Sequence, residues 1–523
     1  MRNVTHMHRS PHPHHRTHHH LRPLPFVLVA LALLVGWGVG APPDPADPPV
    51  PDQEEARIST IESSILPLIR VEGRELPPPA TLGDRMGELG VAAVSAAVVR
   101  DGEVAWARAW GTADVEAGRP ANPETLFQAA SISKPVAAMG ALLLVEDGAL
   151  QLDGPVNAHL TSWRVPEHNW SGRSEVTLRR LLTHTAVLSV HGFPGYENEA
   201  PLPDLPGILD GIEPANTGPV RVSDEPGSLW RYSGGGTTVA QLAISDATGE
   251  PFASGMARRV LEPAGMTSST YEQPLPESLR HRAAFAYRQD GGSPPGGWHV
   301  YPEQAAAGLW TTPTDLARWI ISVQRSLAAS GNPTRKEGAV LRPETALAMV
   351  TPGDGDWGLG PAISGEGPAR RFSHGGSNLG FKAEMTGWTE GGRGLVVLTN
   401  SDQGAILIRE LALAIAQEYG WQGYEPRILT ALERTEAELA EYAGTYRSES
   451  AGFALVVARE EGSLWLITPD GTRREMVSTA EDEFTEIQMG QSVDFLRYDT
   501  GRVDAIRVRG LRLDRVEGGD SGP

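Results

Sequence analysis

A chain of 523 residues exceeds what one hydrophobic core accommodates, so two or more domains are expected. Its 40% hydrophobic and 21% charged residues are those of an ordinary globular protein, and a net charge of −20 argues against nucleic acid or an anionic membrane as partner. The absence of cysteine excludes disulfides, thiolate metal sites, a cysteine nucleophile and a lipid-modified N-terminal cysteine.

The N-terminus opens with a His-rich tract that places eight of the fifteen histidines within the first twenty residues, the bland reading of which is biased low complexity. Next comes "LPFVLVALALLVGWGVGA", Leu24 to Ala41, an apolar run behind four arginines and ahead of a Pro/Asp-rich stretch. A basic flank, a short apolar segment and small residues predict an export signal, or an anchor if it is retained. The expected location is therefore periplasmic or extracellular, and residues 1–57 are set aside as leader, signal and linker.

Helical spacing follows in "DQEEARISTIESSILPLIR". "VAAVSAAVVRDGEVAWARAWG" then reads as two strands turning at Asp101-Gly102. From about Pro123 to Arg370 the pattern is helical with long Gly- and Pro-containing loops. Strands return in "GFKAEMTGW" and "GRGLVVLTN", and a helix ending at Gly420 closes the region. The early hairpin and the late strands are expected to share one sheet, with a mostly helical insert between them, over residues 58–425. Beyond Glu425, short strands punctuated by Glu461-Gly462, Asp470-Gly471 and Thr500-Gly501 predict a small antiparallel β-domain, residues 436–516. No internal repeat is visible.

One short stretch carries chemistry. Of 45 basic residues only three are lysines, Lys134, Lys336 and Lys382, and only Lys134 has a serine three residues before it, in "AASISKPVAAM". A serine hydroxyl needs a base to become a nucleophile. Arginine stays charged, whereas a partly desolvated lysine is neutral near pH 7. Ser131 and Lys134 at i and i+3 share a helix face, and Pro135 fixes this as the first turn. There, free N–H groups and the helix dipole favour an oxyanion. On the tetrapeptide alone, a capping serine beside a surface lysine is the commoner outcome.

The surrounding sequence reverses that balance. S-x-x-K is a known motif of β-lactamases and penicillin-binding proteins. The stretch "LFQAASISKPVAAMGALLLVEDGALQLDGPVNAHL" resembles the nucleophile region of the class C β-lactamase-like serine hydrolases. "VTLRRLLTHTAVLSVHGFPGY", "WRYSGGGTTVAQLAISDATG", "VLEPAGMTSSTYE", "AAAGLWTTPTDLARWI" and "FSHGGSNLGFKAEM" look like that family's later landmarks, in order, over about residues 75 to 420. The resemblance implies an α/β (α+β) fold of the β-lactamase/penicillin-binding transpeptidase type. Such a fold has an antiparallel sheet flanked by helices with a mostly helical insert.

It also implies roles. Tyr232 in "RYSGGG" matches the tyrosine that joins the lysine in proton transfer, while Gly234 replaces the asparagine of the family's Y-x-N motif. His374-Gly375-Gly376 matches the strand edge facing the nucleophile, the two glycines letting substrate lie close to backbone. His374 is expected to assist proton transfer or, when protonated, to bind a substrate carboxylate. The N–H of Ser377 matches the second oxyanion donor beside that of Ser131. His184 is expected to be structural. Ala186-Val187 stand where a small Ser-Gly is usual, a departure the sequence does not explain. The C-terminal domain resembles the β-domain appended to D-aminopeptidase-like and esterase-like relatives.

The expectation is an exported serine hydrolase forming an acyl-enzyme on an ester, amide or D-amino-acid peptide, without metal or cofactor. Its partners would be small-molecule or peptide substrates, not nucleic acid, with membrane contact only through an N-terminal anchor. A penicillin-binding or receptor-like module with slow or no turnover, or a true β-lactamase, are the alternatives. Between His184 and Tyr232, the stretch Val190 to Trp230 holds seven acidic residues, Glu197 to Glu225, against one arginine, Arg221. As a cleft rim it would disfavour anionic ligands.

Overall fold

The computed structural model describes residues 50–329, 338–449 and 452–516, apart from 461, 470, 499, 500 and 509. The apolar segment Leu24–Ala41, its His-rich flank and the turn residues Glu461, Asp470 and Thr500 lie outside these. Among the described residues, no helix is long and apolar enough to cross a membrane.

Asp101 and Gly102 both take a left-handed backbone (φ 53° and 77°), as a two-residue hairpin with right-handed strand twist requires. The turn joins the strands Ala93–Arg100 and Glu103–Asp114. Ala93–Arg100 also pairs antiparallel with Gly394–Thr399, so chain segments about 300 residues apart become neighbours, as expected. The complete sheet has seven strands. Their spatial order is Arg119–Pro120, Glu103–Asp114, Ala93–Arg100, Gly394–Thr399, Phe381–Trp388, Arg371–Asn378 and Ala362–Ser364.

Period-2 alternation divides the central strands between two cores. Ala93, Ala97, Val99, Val396 and Leu398 face one core, packed by the helices Ser133–Glu146 and Pro313–Ala328. Val94, Ala96, Val98, Leu395 and Val397 face the other, beneath Leu407, Ile408 and Leu411 of the helix Gly404–Glu418. That helix stops where Gly420 turns left-handed (φ 66°). Ser133–Glu146 is apolar nearly all round because it runs through the middle of the first core.

Eight antiparallel strands from Gly444–Ser448 to Leu511–Arg515 close into a barrel around Tyr446, Phe484, Phe495 and Leu513. Closure leaves no free edge. The helix Glu436–Tyr442, started by a capping box at Thr435 and Glu438, precedes it. Between the two parts, Ile69–Val71 pairs parallel with Arg427–Leu429, and Ile69, Val71 and Leu429 pack on Val477 of the barrel.

Candidate active site

Ser131 sits in a single 3₁₀ turn, Ala130–Ile132, that runs directly into the helix Ser133–Glu146. The turn is tightly held. Ser133 donates its hydroxyl to the Ala130 carbonyl (2.5 Å) and accepts the Leu309 N–H (3.0 Å), while the Tyr271 hydroxyl bonds the Ser133 carbonyl (2.7 Å). Ala130 is forced to φ 49°, a strained value for a residue with a Cβ, immediately before the serine.

Lys134 is buried, and its Nζ lies 3.0 Å from Ser131 Oγ and 2.7 Å from the Ala306 carbonyl, to both of which it donates. Burial lowers its pKa to about 7, so a substantial share of the amine is neutral at neutral pH. The amine stands 5.0 Å from the centre of the Tyr232 ring. Burial pushes the Tyr232 phenol well above its usual range, partly offset by its polar contact with Ser131. Tyr232 is thus a neutral hydroxyl beside Ser131, not a phenolate.

The strand Arg371–Asn378 forms the opposite wall. Gly376 lets it approach, since a Cβ there would stand 2.2 Å from the Ala129 carbonyl. This glycine therefore serves strand-to-turn packing, while Gly375 and Ser377 are exposed to the cleft. Asn378 locks the same contact, donating to Gln128 Oε1 (2.7 Å) and to the Ala307 carbonyl (3.1 Å).

His374 is buried, and its Nδ1 bonds the Gly375 carbonyl at 2.6 Å. A carbonyl only accepts, so Nδ1 carries the proton and Nε2, which has no hydrogen-bond partner among the described residues, presents a bare lone pair. Burial, reinforced by the Lys134 charge, holds its pKa down at about 3. The expectation that a protonated His374 binds a substrate carboxylate is corrected by this environment, which keeps the ring neutral.

Together Ser131, Lys134, Tyr232, His374, Gly375, Gly376 and Ser377 line one cleft of about 1070 Å³. His184 is buried and accepts the Ser233 N–H at 3.2 Å. Its ring lies 4.3 Å from that of Tyr232, so it props the tyrosine from behind. Trp357 packs edge-on against Tyr232 and His374, with ring centres at 5.8 and 5.4 Å.

The acidic rim does not form. His191–Phe193 and Leu229–Arg231, the ends of the long loop, line the cleft, but its seven acidic residues do not. Asp204 caps a helix, Asp210 pairs with Arg221, and Glu225 pairs with Arg173. Local folding of the loop uses these charges, and the cleft instead holds Arg231, Lys382 and Arg409 with a single carboxylate, Glu384.

The family model for Beta-lactamase matches residues 80–418, well over half of the chain. The chain belongs to the Beta-lactamase family. Esterase EstB of Burkholderia gladioli is 31% identical over 300 residues, covering 51% of this chain and 73% of its own length. Penicillin-binding protein 4* of Bacillus subtilis is 24% identical over 460 residues, 82% of this chain and 98% of its own. The octameric penicillin-binding protein homologue from Pyrococcus abyssi shares the fold, with a TM-score of 0.56 at 21% identity over 83% of this chain and 98% of that one.

Two departures from the Beta-lactamase family's motifs acquire physical accounts. At Gly234, a Cβ would stand 3.1 Å from the His191 carbonyl and 3.1 Å from the Phe193 ring. The segment 191–193 thus stands close against this position, and a side chain there requires it to give by a few tenths of an ångström. Val187 takes φ 53°, and Val190 takes 64°, values suited to glycine and costly for β-branched residues by about 1–2 kcal/mol each. Val187 is buried, so packing offsets that strain. Sequence reading missed Ala306, whose carbonyl holds Lys134, because a backbone acceptor leaves no side-chain signature. It also missed Trp357, whose place beside Tyr232 depends on a loop more than 120 residues away.

Proposed function

We propose that this protein is an exported serine hydrolase that forms an acyl-enzyme on Ser131, acting on esters or on amides and peptides. The observation that carries the reading is the buried amine of Lys134, neutral near pH 7 and 3.0 Å from Ser131 Oγ in an open cleft. Ser131 Oγ attacks the acyl carbon as its proton passes to Lys134. The oxyanion is received by the N–H groups of Ser131 and Ser377. The leaving alkoxide or amine takes the proton back from Lys134 through the Tyr232 hydroxyl. Water then cleaves the acyl-enzyme, again with Lys134 as base, and Ser131 is regenerated. His374 Nε2 is an acceptor for a substrate N–H or O–H.

An esterase or peptidase fits better than efficient β-lactam turnover, because Gly234 stands where the family has an asparagine and the segment 191–193 lies close against it. The similarity to an enzyme named as an esterase points the same way. Export rests on the apolar segment Leu24–Ala41.

The test is labelling with a fluorophosphonate and assay on 4-nitrophenyl esters, a cephalosporin and D-amino-acid peptides, for wild type and Ser131→Ala. Labelling at Ser131 with ester or peptide turnover supports the proposal. Labelling without turnover would favour a slow, penicillin-binding module, and absence of labelling would refute the nucleophile.

A further inference from the structure

Behind the His374–Gly375 edge lies a second chamber of about 490 Å³, which shares His374, Gly375, Glu384 and Arg409 with the cleft. Three guanidinium groups reach it from separate elements. Arg371 comes from the edge strand, Arg409 from the helix Gly404–Glu418, and Arg427 from the link to the barrel. Met489 of the barrel closes one side.

The carboxylates present are already engaged. Glu384 accepts the Tyr424 hydroxyl at 2.5 Å, and burial raises its pKa. Glu425 accepts the Gly423 N–H at 2.9 Å. Arg427 donates to the Gly490 carbonyl at 3.2 Å. Arg371 lies over the Tyr424 ring, 5.6 Å from its centre, and under Gly423, where a Cβ would meet the guanidinium at 1.8 Å. The fold thus holds this charge in place. Yet among the described residues neither Arg371 nor Arg409 has a hydrogen-bond or ion-pair partner for its guanidinium. In a chain with 65 acidic and 45 basic residues, carboxylates are plentiful, and elsewhere they pair with arginines, as in Arg85–Glu410 and Arg282–Glu124. Two guanidiniums left open toward a cavity beside the nucleophile constitute a binding surface for a planar anion.

We infer that this chamber is an anion subsite, which receives a carboxylate carried on the substrate at a distance from its scissile bond. The inference rests on the hydrolase reading above for the identity of the occupant as substrate. It replaces the acidic rim expected from the loop with a cationic pocket formed by strand, helix and linker.

The experiment compares matched ester pairs on the full chain: 4-nitrophenyl valerate against mono-4-nitrophenyl glutarate, and phenyl acetate against 4-carboxyphenyl acetate. Measurements of kcat/KM are made for wild type, Arg409→Gln and Arg371→Gln/Arg409→Gln, at low and high salt. In at least one pair the anionic-to-neutral ratio is expected to fall about tenfold or more in the double variant, and to fall with salt in wild type. Arg409 is exposed and has no hydrogen-bond or ion-pair partner among the described residues, so its single variant tests the charge without disturbing packing. Glutarate binding to wild type and double variant by calorimetry supplies a readout independent of turnover. If no ester is cleaved but glutarate binds and weakens in the variant, the hydrolase reading fails and the anion site stands. Ratios and glutarate affinity that do not change on substitution would overturn the subsite.

Discussion

Lys134 Nζ stands 3.0 Å from Ser131 Oγ, and the lowering of its pKa to about 7 comes from burial alone, not from a neighbouring cation. Burial acts on any ammonium placed there, but only an amine responds by losing its proton. Lys134→Arg is therefore expected to lose about 10²–10⁴-fold in kcat/KM, nearly as much as Lys134→Ala, although the charge is kept. Retention of activity within about tenfold would remove Lys134 from proton transfer.

The same pKa predicts the acid limb of the pH profile. The base is the neutral form, so kcat/KM rises with pH and reaches half its plateau near pH 7. His374, held near 3, contributes no limb between pH 5 and 9. A profile flat from pH 5 to 8 on a neutral ester would contradict this assignment.

Restoring the family's asparagine is not expected to create a β-lactamase. In Gly234→Asn the new side chain meets the His191 carbonyl and the Phe193 ring. The substitution is expected to cost on the order of 1–3 kcal/mol by overpacking, with no gain in cephalosporin hydrolysis. Thermal melts and a cephalosporin assay check both parts, and a stable variant with improved cephalosporin turnover would refute them.

Glu303 is fully buried, neither side-chain oxygen has a hydrogen-bond partner from another residue among those described, and burial raises its pKa to about 7. Unfolded, it would titrate near the ordinary 4.5. Between those values the unfolded chain has released its proton and the folded chain has not, so folding loses stability as pH rises. Glu303→Gln removes this loss. Its advantage over wild type in denaturant titrations is expected to grow from pH 5 to pH 8, by on the order of 3 kcal/mol at most. An advantage independent of pH would show that the carboxyl finds a partner.

Deleting residues 430–523 is expected to leave Ser131 reactive toward a small fluorophosphonate. Among the described residues none after Arg409 lines the cleft at Ser131, and the deletion keeps the pairing of Ile69–Val71 with Arg427–Leu429. Loss of labelling in a folded deletion variant would place part of the site in the barrel.

The sequence by itself determined the local chemistry. A lone lysine three residues after a serine and before a proline specified the turn of helix on which both side chains meet, because i and i+3 are neighbours on any helix. The apolar run "VAAVSAAVV" and turn residues at Asp101-Gly102 likewise predicted the hairpin, and ordered motifs indicated the family. The tertiary structure alone decided what depends on long-range contact. Burial lowers the pKa of Lys134 to about 7, and a backbone carbonyl at Ala306, 172 residues away, positions it. His374 looked like a titrating histidine, yet enclosure beside Lys134 removes its charge. The acidic loop looked like an acidic rim, but none of its carboxylates lines the cleft and Asp204, Asp210 and Glu225 serve a cap and ion pairs within the fold, while arginines from three distant segments converge on the chamber beside it. Composition records how many charges a chain has, and only the fold determines which of them face the substrate.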